Sequence, residues 1–382
     1  MIFLTILLSC TDPPGKKPGD VEQTEDTSDF VDYVPDYDDA DCSGDFDWTD
    51  WTDTSQEGSV DLEIDLPPGR SFQLTVEAQQ DGIVTMAARV ETPDGQLAYS
   101  WRDWNNTKQN YTYAAYPQNP VSTLNYPIRA DDPAYTSGTW RIELFTLDNT
   151  GDYIDDVPVS LRLYVTEDDD LDYGCVYVDV IYADGIEDDP DVTAAVERAF
   201  ARWNQIWLAY GLKAIPYGYL SSGLDPTVPS PQAGDSAYEG MGRDNDPILR
   251  MVVGESIAGE SALGEAGTVP GSMAATPHAA VALSWLQHAG GDGVFSEVEV
   301  RTMGETMAHE ASHYLGLFHP VEISSGEASS YDALEDTPDC GTREDCDAVL
   351  ESNLMYPYAT GALQDQLSSD QVGVLQRWGG VL

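Results

Sequence analysis

The chain has 382 residues, of which 68 are acidic and 17 are basic, and its formal net charge is −51. Nucleic acids and anionic membrane surfaces are bound by basic faces, so this charge argues against both kinds of partner. The chain is longer than the stretch that usually folds around one hydrophobic core. Because 41% of its residues are hydrophobic, it predicts two folded domains with tails. The acidic excess fits either simple solubility or calcium binding, because calcium prefers carboxylate oxygens.

The N-terminus predicts export. Residues 1–9 are apolar but too few to span a bilayer, as at the end of a signal peptide, so residues 1–10 are assigned to a signal. The run Leu7-Leu8-Ser9-Cys10 is similar to a bacterial lipobox, in which the cysteine carries the lipid. A lipid anchor at Cys10 and a plain cleaved signal both remain open. Both put the mature protein outside the cytoplasm, secreted or on the outer surface, with the membrane reached only through the lipid.

Four further cysteines predict disulfides in an oxidising compartment. Cys340 and Cys346 lie close together and are expected to pair, which would leave Cys42 to pair with Cys175. Four cysteines allow three connectivities, and the sequence does not choose between them.

Two segments precede the C-terminal domain. Residues 11–57 are rich in Asp, Pro, Gly, Ser and Thr, which predicts a disordered acidic tether. From 58 to 166 apolar and polar residues alternate, and turn residues separate the runs, which predicts an antiparallel β-sandwich. Adhesion, substrate capture, chaperoning of the neighbouring domain and a stabilising spacer all remain open as roles for this domain.

Residues 172–382 predict an α/β domain. Strands are expected at 176–184, 212–219, 248–254 and 278–286, and a helix runs from Asp191 to Gly211. This order implies a mixed sheet with a backing helix. We expect the edge strand around Ala279–Leu286 to bind a peptide by backbone pairing.

The chemistry-bearing segment follows Ser296, which can cap a helix. His309 and His313 are four residues apart, so both imidazoles leave one helical face and can reach one metal ion. Gly316 lets the chain leave the helix, and the turn brings back His319 as a third ligand. Three protein ligands leave a position for water, which is the arrangement of catalytic zinc.

Glu310 adjoins the first of these ligands and faces the open position. Zinc would lower the pKa of its bound water, the nucleophile, and would polarise the scissile carbonyl. Glu310 would act as general base and then pass the proton to the leaving amine.

The segment HEASHYLGLFH fits the metzincin zinc-protease pattern in full, and the chain resembles that family over about residues 172–382. The resemblance implies a Met-turn beneath the metal, for which Met355 stands at a suitable distance. Asp336-Thr337-Pro338 and the nearby cysteines look like the pappalysin branch, in which calcium binds in this region. The stretch 367–378 is similar to the C-terminal helix of such domains.

Three assignments keep an alternative. Met355 could be an ordinary core residue, and Asp336 a turn residue rather than a calcium ligand. Some metzincins carry a transition-state tyrosine two residues after the Met. Here Pro357 holds that place, and Tyr356 and Tyr358 beside it are candidates for either packing or substrate contact.

The sequence therefore predicts a β-sandwich followed by a metzincin-type domain. The predicted function is a zinc endopeptidase that hydrolyses extracellular or cell-surface proteins. The alternative is a non-catalytic adhesion or binding lipoprotein with a vestigial zinc site. Oligomeric state is not predicted.

Overall fold

The computed structural model describes residues 48–103, 111–115, 121–167, 173–241, 248–359 and 361–382, together with residues 9–11, 42 and 171. Residues 1–8, most of the N-terminal segment up to 47 and the remaining gaps lie outside this description.

Antiparallel strands build the N-terminal part. Strand β1 (Ser9–Thr11) comes first in the chain but belongs to the sheet of the second part. The strands of the N-terminal part are β2 (Trp48–Thr54), β3 (Ser59–Leu66), β4 (Ser71–Ala78), β5 (Ile83–Glu91), β6 (Leu97–Ser100), β7 (Tyr113–Ala115), β8 (Val121–Tyr126), β9 (Gly138–Asp148) and β10 (Pro158–Thr166). One sheet has the order β2-β10-β4-β8-β7 and the other β3-β9-β5-β6. The inward-facing residues of both sheets form one core around Phe72 and Trp140, which confirms the predicted sandwich.

The sandwich begins earlier than the sequence predicted. The predicted tether, residues 11–57, includes Trp48–Thr54, but this stretch pairs with β10 along seven positions as an edge strand of the sandwich. Asp50 on this strand accepts a hydrogen bond from Arg162 Nε at 2.7 Å. The tether assignment was therefore wrong for this stretch. Its acidic side chains lie on an exposed edge strand, where Asp residues lower the strand signal without preventing pairing.

A mixed sheet builds the second part. Its strands and those of two small two-stranded sheets are β11 (Gly174–Tyr182), β12 (Leu212–Ser221), β13 (Thr227–Val228), β14 (Leu249–Gly254), β15 (Ser256–Ile257), β16 (Ala262–Ala266), β17 (Val281–Ser284), β18 (Val321–Ser324) and β19 (Glu327–Tyr331). The main sheet has the order β1-β16-β17-β14-β11-β12. Strands β12, β11, β14 and β17 run parallel, and β16 is antiparallel to β17. The prediction of an α/β domain after the sandwich is confirmed.

The helices are α1 (Pro190–Leu208), α2 (Ser236–Glu239), α3 (Trp285–His288), α4 (Glu297–Tyr314), α5 (Arg343–Leu350) and α6 (Ser369–Gln376). Helix α1 packs directly against α4. At their crossing a Cβ on Gly304 would lie 2.5 Å from the Ala199 carbonyl oxygen, so only glycine permits this approach. The two helices pack together through their buried faces and hold the site described below against the sheet.

The edge strand beside the site is not the one that the sequence predicted. Val281–Ser284 lies inside the sheet between β14 and β16, and the chain then turns into α3. The strand next to the site is β16, and residues 9–11 add to it in antiparallel orientation, with Ser9 opposite Glu265. Strand β16 has the sequence ALGEA, which is too short and too poor in β-branched residues to signal a strand.

The structure resolves the disulfide connectivity that the sequence left open. Cys42 pairs with Cys175, and Cys340 pairs with Cys346. Such bonds are typical of proteins outside the cytoplasm. Among the described residues, no helix combines the length and the apolar character that crossing a membrane requires.

Candidate metal centre

Helix α4 carries the first two histidines. It begins with a capping box in which the Ser296 side chain and Glu299 satisfy each other's backbone amides, as the sequence predicted for Ser296. Gly316 follows the helix with φ +120°, a conformation that a side chain would strain. The chain therefore leaves the helix at this glycine and returns His319 to the side of His309 and His313.

The three imidazoles are buried, and each has its Nδ1 held by an acceptor. His309 Nδ1 donates to the Leu354 carbonyl at 2.6 Å, and His313 Nδ1 donates to the Leu317 carbonyl at 2.7 Å. His319 Nδ1 lies 2.8 Å from a carboxylate oxygen of Glu322. Because carbonyls and carboxylates only accept, the hydrogen of each neutral ring is on Nδ1, and each Nε2 presents a lone pair.

These three lone pairs point at one another. His313 Nε2 and His319 Nε2 are 3.1 Å apart, and His319 Nε2 and His309 Nε2 are 3.3 Å apart. Neutral rings with hydrogen on Nδ1 cannot hydrogen-bond to each other through Nε2, so their lone pairs are arranged to share one metal ion. Zinc with Zn–N bonds of about 2.0–2.1 Å and tetrahedral angles would separate its nitrogens by about 3.3–3.4 Å. The buried three-histidine cluster is consistent with a zinc site.

Burial also favours the neutral form of His309 and His313. It lowers the pKa of His309 to about 3, with a contribution from the charge of His319. Burial, followed by the charges of His309 and His319, lowers the pKa of His313 well below its usual value. Neutral imidazole is the form that binds a metal, so these shifts prepare the site for one.

Glu310 is fully buried beside the cluster. Strand β16 passes over it so closely that a Cβ on Gly264 would lie 2.7 Å from Glu310 Cγ and 2.9 Å from Thr306 Cγ2. Glycine at this position therefore lets the edge strand and the Glu310 side chain share the space above α4. This contact could not be predicted from the sequence, because one glycine in a short strand has many explanations.

Met355 is fully buried in the core of the α/β part. The Tyr356 amide donates to the Asn353 carbonyl at 3.1 Å, so Met355 stands inside a four-residue turn. The residue before it, Leu354, supplies the carbonyl that holds His309. This turn and helix α4 are thus in direct contact.

The two candidate tyrosines have their hydroxyl groups engaged away from the histidines. The Tyr356 hydroxyl donates to Asp347 at 2.6 Å, and the Tyr358 hydroxyl donates to the Ile323 carbonyl at 3.3 Å. Both rings pack in a small separate core that also holds the Cys340–Cys346 disulfide. Within the described residues, neither hydroxyl shares a hydrogen bond with a histidine of the cluster.

Asp336 lies at the N-terminus of α6. Its two carboxylate oxygens accept hydrogen bonds from Ser368 Oγ at 2.7 Å, Ser369 Oγ at 2.9 Å and the Asp370 amide at 2.9 Å. Burial acts to raise the pKa of Asp336, and these hydrogen bonds outweigh it and lower the pKa. The carboxylate thus joins the segment after the zinc motif to the C-terminal helix.

Two further features concern the candidate residues. Cys10 belongs to the short strand that pairs with β16, and its lipidation remains a prediction. Glu322 orients His319 but was not identified from the sequence. A glutamate three residues after a ligand is common, and only the return of the chain after Gly316 brings it to Nδ1.

Comparison with known proteins gave distant likenesses. No protein-family model and no curated protein matches the chain. Metalloproteinase-II from Bacteroides fragilis is similar to it with 12% identity and a TM-score of 0.30, over 56% of this chain and 61% of that structure. The VP2 subviral particle of infectious bursal disease virus shows 14% identity and a TM-score of 0.17, over 31% of this chain and 30% of that structure. Likenesses this weak carry no argument about fold or function.

Proposed function

We propose that this chain is a zinc-dependent endopeptidase of the metzincin type, most similar to the pappalysin branch. Its substrates would be extracellular or cell-surface proteins. One observation carries the proposal: the buried Nε2 of His319 lies 3.1 Å from that of His313 and 3.3 Å from that of His309, and the buried Glu310 follows His309 on the same helix. Three protein ligands and an adjacent carboxylate are the parts that metal-assisted hydrolysis requires.

His309, His313 and His319 would hold the metal, and Glu310 would move the proton. When bound, zinc would lower the pKa of a water molecule and polarise the scissile carbonyl. Glu310 takes a proton from the attacking water and later delivers it to the leaving amine. Its burial excludes bulk water, which strengthens the electrostatic interaction of the carboxylate with the reacting atoms.

Strand β16 is the proposed binding edge for the substrate. It already pairs in antiparallel orientation with residues 9–11, so its outer hydrogen-bonding groups can receive an extended strand. A peptide that adds in the same way would pass over Glu310, because Gly264 of β16 lies against that side chain. The outer edge of β16 can pair with only one strand, so the substrate would displace Ser9–Thr11 from it.

Several finer assignments belong to the same proposal. The turn around Met355 and its contact with His309 support the role of a Met-turn. A calcium ion near Asp336, a lipid at Cys10 and a division into a sandwich that ends near residue 166 and a second domain at 172–382 remain proposals. Export is supported by the two disulfides.

The test uses the purified full chain and an unfolded protein such as casein. Wild type loaded with zinc is expected to cleave it, a chelator to abolish the cleavage, and added zinc to restore it. Glu310→Gln is expected to retain about one zinc ion and to lose about 10²- to 10⁴-fold in rate. Glu297→Gln, on the exposed first turn of the same helix, is the matched control and should cleave as wild type does.

The alternative function would emerge from the same samples. A wild-type chain that holds one zinc ion and cleaves no protein substrate would overturn the proposal. It would favour a surface binding protein with a vestigial metal site.

A further inference from the structure

The β-sandwich contacts the turn of the zinc motif directly. Ile128, which follows the sandwich strand β8, is fully buried and belongs to the core of the α/β part rather than to that of the sandwich. Its Cδ1 lies 2.4 Å from the place that a Cβ on Gly316 would occupy. The glycine that ends the zinc-binding helix therefore also makes room for a sandwich side chain.

A second sandwich residue contacts the same turn two positions later. Tyr111, just before β7, is fully buried, and its ring centre lies 4.8 Å from that of Phe318 in an edge-on arrangement of 69°. Edge-on packing of two aromatic rings is a favourable arrangement, so the Tyr111 ring supports Phe318 from the sandwich side. Phe318 immediately precedes the ligand His319.

These two contacts lie on either side of Leu317, the residue of the turn that orients His313 and leads to His319. Between Gly316 and Phe318 lies Leu317, whose carbonyl accepts the hydrogen of His313 Nδ1 at 2.7 Å. A movement of the turn would therefore rotate His313 and displace His319 together. Groups that orient metal ligands from behind affect metal affinity strongly.

The sandwich is held in place by buried polar contacts elsewhere. Gln73 donates to the Gly271 carbonyl at 3.1 Å and accepts from the Met273 amide at 2.7 Å. Thr166 Oγ1 donates to the Gly379 carbonyl at 2.9 Å. Separation of the two parts would leave these buried groups unpaired, which opposes movement of the sandwich away from the turn.

We propose that Ile128 and Tyr111 are positioning residues for the zinc ligands His313 and His319, so that the sandwich forms part of the metal site. The inference rests on the proposed zinc site. The role that it assigns to the sandwich, positioning metal ligands, differs from adhesion, substrate capture and spacing.

The test compares buried substitutions in the full chain. Ile128→Ala and Tyr111→Ala remove the contacts to the turn, and Leu161→Ala and Tyr99→Ala are matched truncations in the sandwich's own core. Zinc affinity is measured by competition with a chelator, and ligand geometry by the visible absorption of the cobalt(II)-substituted protein. Thermal unfolding of each metal-free variant reports stability separately.

The contact variants are expected to bind zinc about 10- to 100-fold more weakly and to change the cobalt spectrum. The two core variants should lose thermal stability without either change. Tyr111→Phe keeps the ring and should bind zinc as wild type does. If Ile128→Ala does not fold, Ile128→Val replaces it, because this change removes only the Cδ1 methyl group next to Gly316. We expect Ile128→Val to change the cobalt spectrum and the zinc affinity in the same direction but by a smaller amount.

The proposal is overturned if contact and core variants have the same zinc affinity and cobalt spectrum as wild type. A wild-type chain that binds zinc but cleaves nothing would end the proposed peptidase function, while the zinc measurements would still decide the role of the sandwich. A wild-type chain that binds no zinc would overturn both.

Discussion

The carboxylate of Glu322 lies 2.8 Å from His319 Nδ1, and this contact directs the Nε2 lone pair of His319 toward the two histidines of α4. We predict that Glu322→Ala binds zinc about 10- to 100-fold more weakly, because the ring loses the group that sets its orientation. Glu322→Gln keeps an acceptor oxygen and should retain most of the affinity. Competition with a chelator measures the zinc affinity of both variants. Equal zinc affinity in Glu322→Ala and Glu322→Gln would contradict the orienting role of Glu322.

Gly264 is predicted to position Glu310. Gly264→Ala would place a methyl group 2.7 Å from Glu310 Cγ, so either β16 or the carboxylate has to shift. A displacement of this size is expected to lower kcat/KM by about 100-fold while zinc content is unchanged. Gly240→Ala is the matched control, since the nearest atom to its added Cβ lies 3.8 Å away. Unchanged kcat/KM in Gly264→Ala would show that the strand adjusts freely.

Glu305 predicts a pH-dependent contribution to stability. Burial raises its pKa to about 7, although Arg202 and Arg301 act in the opposite direction. A raised acid pKa means that the folded state favours the protonated form, so the stabilisation is complete below the unfolded pKa and is lost as pH rises through about 7. Glu305→Gln should therefore gain free energy of unfolding relative to wild type between about pH 5 and pH 8.

Denaturant titrations of the metal-free protein at several pH values measure this difference. Burial also raises the pKa of Asp332 to about 7, and it acts with the same sign, so Asp332→Asn is a second variant rather than a control. A difference between wild type and Glu305→Gln that does not vary with pH would rule out the predicted protonation of Glu305.

Asp336 is predicted to stabilise the C-terminal helix through its hydrogen bonds to residues 368–370. Asp336→Asn sets an amide against hydrogen-bond donors, so we expect a loss of about 1 kcal/mol, comparable to the loss of a helix cap. Thermal unfolding with calcium and with a chelator measures it. The hydrogen bonds alone predict the same loss in both conditions. A calcium-dependent rise in the midpoint of wild type that Asp336→Asn abolishes would instead support calcium ligation.

Much of the three-histidine cluster could be predicted from the sequence, because its determinants are local. The spacing of His309 and His313 acts through helix geometry, Ser296 through a cap, and Gly316 through its own backbone conformation. The sandwich was also predicted from alternation along single strands. Each of these features depends on residues within a few positions of one another, so it can be recognised from the amino-acid sequence alone.

Other features depended on contacts between distant segments. The edge strand at β16 and the sandwich strand at Trp48–Thr54 form because partner strands are present, and their own residues gave weak or misleading signals. The hydroxyl partners of Tyr356 and Tyr358 were likewise not readable from the sequence.

The sequence by itself determined that three histidines and a glutamate share one helix and its following turn. Only the tertiary structure decided what orients them: the Leu354 carbonyl from the Met355 turn, Glu322 beyond His319, and Ile128 and Tyr111 from the sandwich. Periodicity reports which residues of one element face the same way. It carries no information on which separate elements pack behind them, because that depends on the packing of the whole chain.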